Sequence, residues 1–170
     1  MTETPDETRD RDGHRPDAET ERQRLDGVEA YLEYHRESNP YYEWLHPEVL
    51  TVERGLVRIR QPINERTAPP EVGPADGISG GILMTLGDAA GMAAIIAEAL
   101  EPVPLATTGI TMSFHDGADE PHVVQAEVVD FGSTLATARI EVFPESDLGD
   151  PSPRVLASGE ATARLFECRG

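Results

Sequence analysis

Residues 77–91 read GISGGILMTLGDAAG. A glycine pair, Gly80–Gly81, opens an apolar, alanine-rich stretch of helical character, and one carboxylate, Asp88, sits inside it. Burying an ionised acid in such a helix costs several kcal/mol unless something compensates, so its presence needs a reason. At a helix start the first backbone N–H groups lack intrahelical partners and can meet a ligand oxygen, and a glycine there permits close approach. An oxygen-binding helix start and a poised acid eight residues later point to a hydrolytic site. Two plainer readings stay open on these residues alone: Asp88 as the N-cap of a helix beginning at Ala89, and Gly80–Gly81 as only a turn.

The helical stretch runs from about Gly80 to Leu100 and is ended by Pro102 and Pro104. It is apolar nearly all round, which predicts burial on most sides, and small residues such as Gly87, Ala90, Gly91 and Ala94 would let strands approach closely. Ile82–Leu100 is long enough to suggest a membrane span, but a central Asp costs roughly 2.5–3.5 kcal/mol on insertion scales. A buried helix of a soluble, cytoplasmic protein is expected instead. Ahead of it, Val49–Glu53 and Leu56–Gln61 read as strands joined at Arg54–Gly55, a hairpin signal. Pro62–Asp76, rich in Pro, Gly and acids, reads as a loop. After the helix, Gly109–His115, His122–Phe131, Thr134–Phe143 and Arg154–Phe166 alternate apolar and polar residues, the pattern of antiparallel strands with one covered face. Two strands, a long apolar helix and four strands able to curl around it make an α+β domain. His115 and His122 bracket a hairpin loop and are expected in solvent.

Leu25, Val28, Tyr31 and Leu32 recur at helical spacing, giving a short helix that Asn39–Pro40 stops. The aromatic cluster Tyr41, Tyr42, Trp44 with Leu45 is expected to cover a core edge. Residues 1–24 have almost no apolar side chains and should be disordered, leaving 25–170 as one domain. The formal charge is −18, from 32 acids against 14 arginines with no lysine. Such an acidic surface suits high salt and suggests a halophile; with no basic stripe to replace counterions on phosphate, nucleic-acid binding is not expected. The lone Cys168 and five histidines without ligand spacing predict neither a disulfide nor a metal site, and the charged N-terminus does not resemble a signal peptide.

With the element order in place, ISGGILMTLGDAAG resembles the HGG-x6-D signature of hotdog-fold acyl-CoA thioesterases of the phenylacetate-pathway and 4-hydroxybenzoyl-CoA type. The flanks agree: VERGLVRIRQPIN resembles the family's first hairpin, ITMSFHDGA its strand after the helix, VVDFGSTLATARIEV the next hairpin and VLASGEATARLF the last strand. The resemblance covers about residues 40–166 in the family's order. It implies a curved antiparallel sheet wrapped around the long helix, and hydrolysis of an acyl-CoA thioester to acid and coenzyme A. No separate cofactor is implied, coenzyme A being part of the substrate. It also implies a homodimer or homotetramer with sites at the subunit interface.

Carried over residue by residue, the resemblance makes Asp88 the catalytic carboxylate, acting as general base or nucleophile. Gly80 becomes the residue whose N–H polarises the thioester carbonyl, with Gly81 beside it at the substrate. Ser79 stands where the family has histidine. Thr107, or Thr108 one position on, falls where some members keep a hydroxyl near the attacking water. Asn64 matches an asparagine that orients substrate or water. Gly132, Ser133 and Thr134 match the turn that meets the coenzyme A phosphates. The chain departs from the family in Ser79, in Asp116–Gly117 where Arg-Pro is common, and in Ser133 where a basic residue is. Arg58, Arg60, Arg139 or an arginine of a partner subunit are left as candidates for the phosphates. These departures keep a second reading open, a non-catalytic hotdog module that binds an acyl ligand. A hotdog dehydratase fits less well, since no histidine lies between His46 and His115.

Overall fold

The structure, a computed structural model, describes residues 16–64, 67 and 77–166. Asp17 caps helix α1 (Ala18–Ser38) by accepting from the Thr20 N–H at 2.8 Å. The helix thus begins ahead of the expected Leu25: residues 18–24, expected in the tail, are its first turns, while residues 1–15 lie outside the described residues. An Asp cap followed by Glu19 and Glu21 favours a helix start through the cap bond and the macrodipole, without an apolar face. Asn39 then serves two helices. Its N–H closes α1 on the His35 carbonyl, and its side chain accepts from Tyr41 N–H at the start of α2 (Pro40–Leu45). Pro40 sits in the first turn, where its missing N–H costs nothing, so Asn39–Pro40 restarts the helix it was expected only to stop.

Six strands, β1 (Glu48–Glu53), β2 (Leu56–Gln61), β3 (Leu105–Phe114), β4 (His122–Phe131), β5 (Leu135–Pro144) and β6 (Ala157–Leu165), form one antiparallel sheet in the order β1-β2-β4-β5-β6-β3. The β1–β2 turn requires Gly55 because its φ is +69°, a backbone conformation that a side chain strains. Strand β3 does not lie beside β4. It crosses to the far edge and pairs only with β6, leaving its other edge unpaired.

Helix α3 (Gly80–Ala99) packs against the sheet and buries Ile82, Leu83, Leu86, Ala90 and Ala93–Ala97. It is long and apolar enough to cross a membrane by length and composition, but 61% of its apolar window is buried in the fold, which makes it the core helix. Its glycines set the spacing. A Cβ on Gly91 would sit 2.9 Å from the Ala161 Cβ, and one on Gly87 3.0 Å from the Met112 sulfur. The expected α+β hotdog architecture, a curved antiparallel sheet around a long central helix, is the one the chain adopts. The uncovered side of α3 carries Gly81 and Met84, exposed, with Thr85, Asp88 and Met92 half-buried.

His115 is exposed, as expected, and its Nε2 lies 2.8 Å from Ser158 Oγ. His122 is not exposed. As the first residue of β4 it faces Gln61 in register and has no accessible surface. Burial pushes its pKa from the ordinary 6.5 to about 4, opposed by a bond to the Glu120 carbonyl. Gln61 donates through Nε2 to the carbonyls of Leu45 and Pro62, both at 2.8 Å. Its Oε1 and the His122 Nε2 are left without partners among the described residues. The strand begins at His122, as the alternation expects, and its first residue falls on the covered face with Val124 and Ala126, which buries an imidazole expected in solvent.

Candidate active site

The start of α3 is fixed by its neighbours. Ile78 N–H donates to the Ala118 carbonyl at 3.0 Å, and Ile82 and Leu83 N–H donate to the Ser79 carbonyl at 2.9 and 3.2 Å. Ser79 occupies the N-cap position, but its exposed hydroxyl makes no capping bond. Among the described residues nothing bonds the N–H groups of Gly80 and Gly81, the two at the tip of the helix. The Phe114 ring lies so close to Gly80 that a Cβ would be 3.1 Å from it.

Asp88 lies two turns inside α3, so it is not an N-cap. The helix carries one other carboxylate, Glu98, which holds the Arg54 guanidinium at 3.0 Å. Asp88 has no such cation among the described residues. Its partner is the Thr107 hydroxyl of β3, which donates to Oδ1 at 2.7 Å. The register of β3 against β6 shifts between Thr107 and Gly109, and an irregularity of this kind re-aims neighbouring side chains. Thr107 consequently reaches Asp88, while the Thr108 hydroxyl donates to the Thr162 carbonyl at 3.1 Å.

Asp88 also lines a cavity of about 280 Å³ between α3, the sheet and the two N-terminal helices. Leu86, Ala89, Met92, Ala93 and Ile96 form its α3 wall, Val57 and Ile59 its sheet wall, and Tyr31, Leu32 and Tyr42 its roof. The Tyr42 phenol is held above its ordinary pKa, first by burial and then by the Asp88 charge, so it stays protonated in the cavity that Asp88 also lines. Tyr42 was expected only to cover a core edge. The missed signal was Asn39–Pro40, whose capping chemistry folds the aromatic run into a helix over the cavity.

Within one chain the other candidates do not reach Asp88. Gly80 precedes it by eight residues on the same helix, about 12 Å along the axis. Asn64 is folded into a turn with Thr67, its Oδ1 accepting from Thr67 N–H at 3.2 Å, beyond the β2 end that pairs with His122. Gly132, Ser133 and Thr134 form the exposed β4–β5 turn, closed by Gly132 N–H on the Leu135 carbonyl at 2.8 Å, and Thr134 accepts from Leu165 N–H at 2.9 Å. Of the arginines named for the phosphates, Arg60 is engaged by Glu145 at 2.7 Å and Glu48 at 3.2 Å, and Arg58 by Gln125 at 2.7 Å. Arg139 is exposed, in register with Glu127 and Glu160.

Comparison with known proteins bears on the family and the fold. The family model described as thioesterase superfamily matches residues 77–149, which span the helix start, Asp88 and Thr107. A Halobacterium salinarum protein named as a candidate esterase is 30% identical over 144 residues, covering 83% of this chain and 94% of that protein. Among solved structures, a thioesterase family protein from Silicibacter pomeroyi superposes with a TM-score of 0.68 at 22% identity, covering 82% of this chain and 98% of its own. The PaaI protein of the E. coli phenylacetic acid degradation operon does so with a TM-score of 0.67 at 14% identity, covering 88% and 96%. By these matches and its fold, the chain belongs to the thioesterase superfamily.

Proposed function

We propose that the chain hydrolyses acyl-CoA thioesters at a site completed by a second copy of itself. The observation that carries this is Asp88: a carboxylate at the wall of an apolar cavity, bonded to a neutral hydroxyl where its helix neighbour Glu98 is bonded to a cation. In this reading Asp88 takes a proton from water, whose oxygen attacks the thioester carbonyl carbon. An N–H at the start of α3 stabilises the negative charge that grows on the carbonyl oxygen, and collapse of the tetrahedral adduct expels the coenzyme A thiolate, which is then protonated. Loss of one such donor typically costs on the order of 10²–10³ in rate, and a positioned base contributes on the order of 10²–10⁴.

The same-chain Gly80 N–H is about 12 Å from Asp88 along the helix, too far for both to act on one carbonyl. A partner's Gly80 meets the requirement if two copies associate through the free edge of β3 and the uncovered side of α3. Ser79 then presents a hydroxyl beside the oxyanion position, and the turn Gly132–Thr134, with Arg139, is available to the nucleotide end of coenzyme A.

The test is release of free thiol from acyl-CoAs in molar KCl, with Asp88→Asn as the control. Turnover that falls at least a hundredfold in a folded Asp88→Asn protein supports the reading; undiminished turnover sinks the mechanism. Thermal stabilisation by acyl-CoAs without turnover in the wild type would favour the binding module, a reading that Ser79 in place of a histidine keeps in view.

A further inference from the structure

We infer that the cavity beside Asp88 is a slot for a straight, saturated acyl chain of about eight to ten carbons; this rests on the hydrolytic reading above and names its substrate class. From Asp88, with Leu86 on its other side, the α3 lining runs through Ala89, Met92 and Ala93 to Ile96, which at 1.5 Å per residue is a slot about 12 Å long beyond the carboxylate. Its direction follows from the ion pairs. Arg54 reaches both Glu21 near the start of α1, at 4.0 Å, and Glu98 near the end of α3, at 3.0 Å, and the later α1 residues from Tyr31 to Arg36 line the same cavity as Asp88, so α1 runs back along α3. The polar lining groups His35, Arg36 and Asn39, from the end of α1, therefore gather toward Asp88, where the thioester sits. Arg36 is itself neutralised by Glu33 at 2.8 Å. Tyr31 and Leu32 lie one turn further back, toward the Ile96 end, which is apolar.

Volume sets the chain length. A dry apolar cavity of about 150 Å³ holds benzene, or about 25 Å³ per carbon, so 280 Å³ has a ceiling of about eleven carbons. A phenylacetyl group carries as many carbons as octanoyl, so volume does not separate the two; its ring is shorter and wider than an extended chain, and would leave the Ile96 end of the slot void, forfeiting contact energy there. A chain of eight to ten carbons matches both the length and the volume.

The experiment is a kcat/KM profile over straight-chain acyl-CoAs of two to sixteen carbons, with phenylacetyl-CoA beside them. Each methylene taken out of water contributes about fourfold until the slot is full. The profile should climb by on the order of 10³ from four to ten carbons and fall beyond twelve. Ala93→Leu places three more carbons in the slot and should move the optimum down by about three carbons. Leu32→Ala, on the roof, should move it up by a similar amount, and it carries the test if Ala93→Leu does not fold by circular dichroism. A flat profile, an optimum that stays put in both folded variants, or a maximum on phenylacetyl-CoA overturns the assignment. If no thioester is cleaved, yet the melting temperature rises with chain length from butanoate to decanoate and stops rising beyond it, the slot stands and the hydrolytic reading falls.

Discussion

Lowering the pH from 7 to 4 sets the fold against His122. In the unfolded chain the imidazole takes up a proton near its ordinary 6.5, whereas in the fold burial holds it at about 4. Between those values the unfolded state binds a proton that the native state refuses, so the stability present above 6.5 is lost progressively as the pH falls toward 4. The gap is about 2.5 units, and at 1.36 kcal/mol per unit it is worth about 3 kcal/mol. His122 has no accessible surface, so solvent does not discount the figure. The assay is urea unfolding at pH 7 and pH 4 in constant high salt, for wild type and His122→Leu. Trp44, next to the Leu45 whose carbonyl accepts from Gln61, serves as the local fluorescence reporter. The many carboxylates titrate in both proteins, so the difference between them isolates the imidazole. Wild type should lose about 3 kcal/mol more than the variant. Equal losses would refute the burial argument.

Other perturbations read the site and the core. Thr107→Val removes the hydroxyl that holds Asp88 Oδ1 at 2.7 Å. A bond to a charged group is worth about 1.5–3 kcal/mol, and in this part-exposed setting the low end applies, so kcat should fall about tenfold with KM nearly unchanged; Thr107→Ser should restore it. Gly159→Ala should destabilise the fold by at least about 1–3 kcal/mol in thermal unfolding, because a Cβ there would overlap the Thr111 carbonyl oxygen on the paired strand. Gly80→Pro should leave the helix content intact, since proline is accepted in a first turn, Ser79 before it is already extended at ψ 134°, and the Phe114 ring that a Cβ would press on is exposed and can give by a few tenths of an ångström. By deleting one N–H it should still cost on the order of 10²–10³ in turnover.

Periodicity made most of the fold legible. The alternation in residues 122–131 and 157–165 and the largely apolar run after Gly80 correspond to β4, β6 and α3, because each buries one face or most of itself. What periodicity misses is set by capping and by long-range pairing. The start of α1 depends on Asp17 and two glutamates, which carry no apolar signal. The place of β3 at the far edge depends on its pairing with β6, which no local pattern encodes. In the site, the Asp88–Thr107 contact joins two matches with the family motif, but the choice between Thr107 and Thr108 needed the register shift to be seen. Tyr42 was hidden because its role is given by a helix restart rather than by its own neighbours.

The shared site is tested most directly by subunit complementation. Asp88→Asn and Gly80→Pro chains carrying different tags are co-expressed, and the doubly tagged dimer is assayed against each inactive homodimer. A two-fold dimer of this mixed kind contains one site with both wild-type groups and one with neither. The account predicts about half the wild-type turnover per mixed dimer, against losses on the order of 10² or more in each parent. Mixed dimers as inactive as their parents would contradict a site built from Asp88 of one copy and Gly80 of the other.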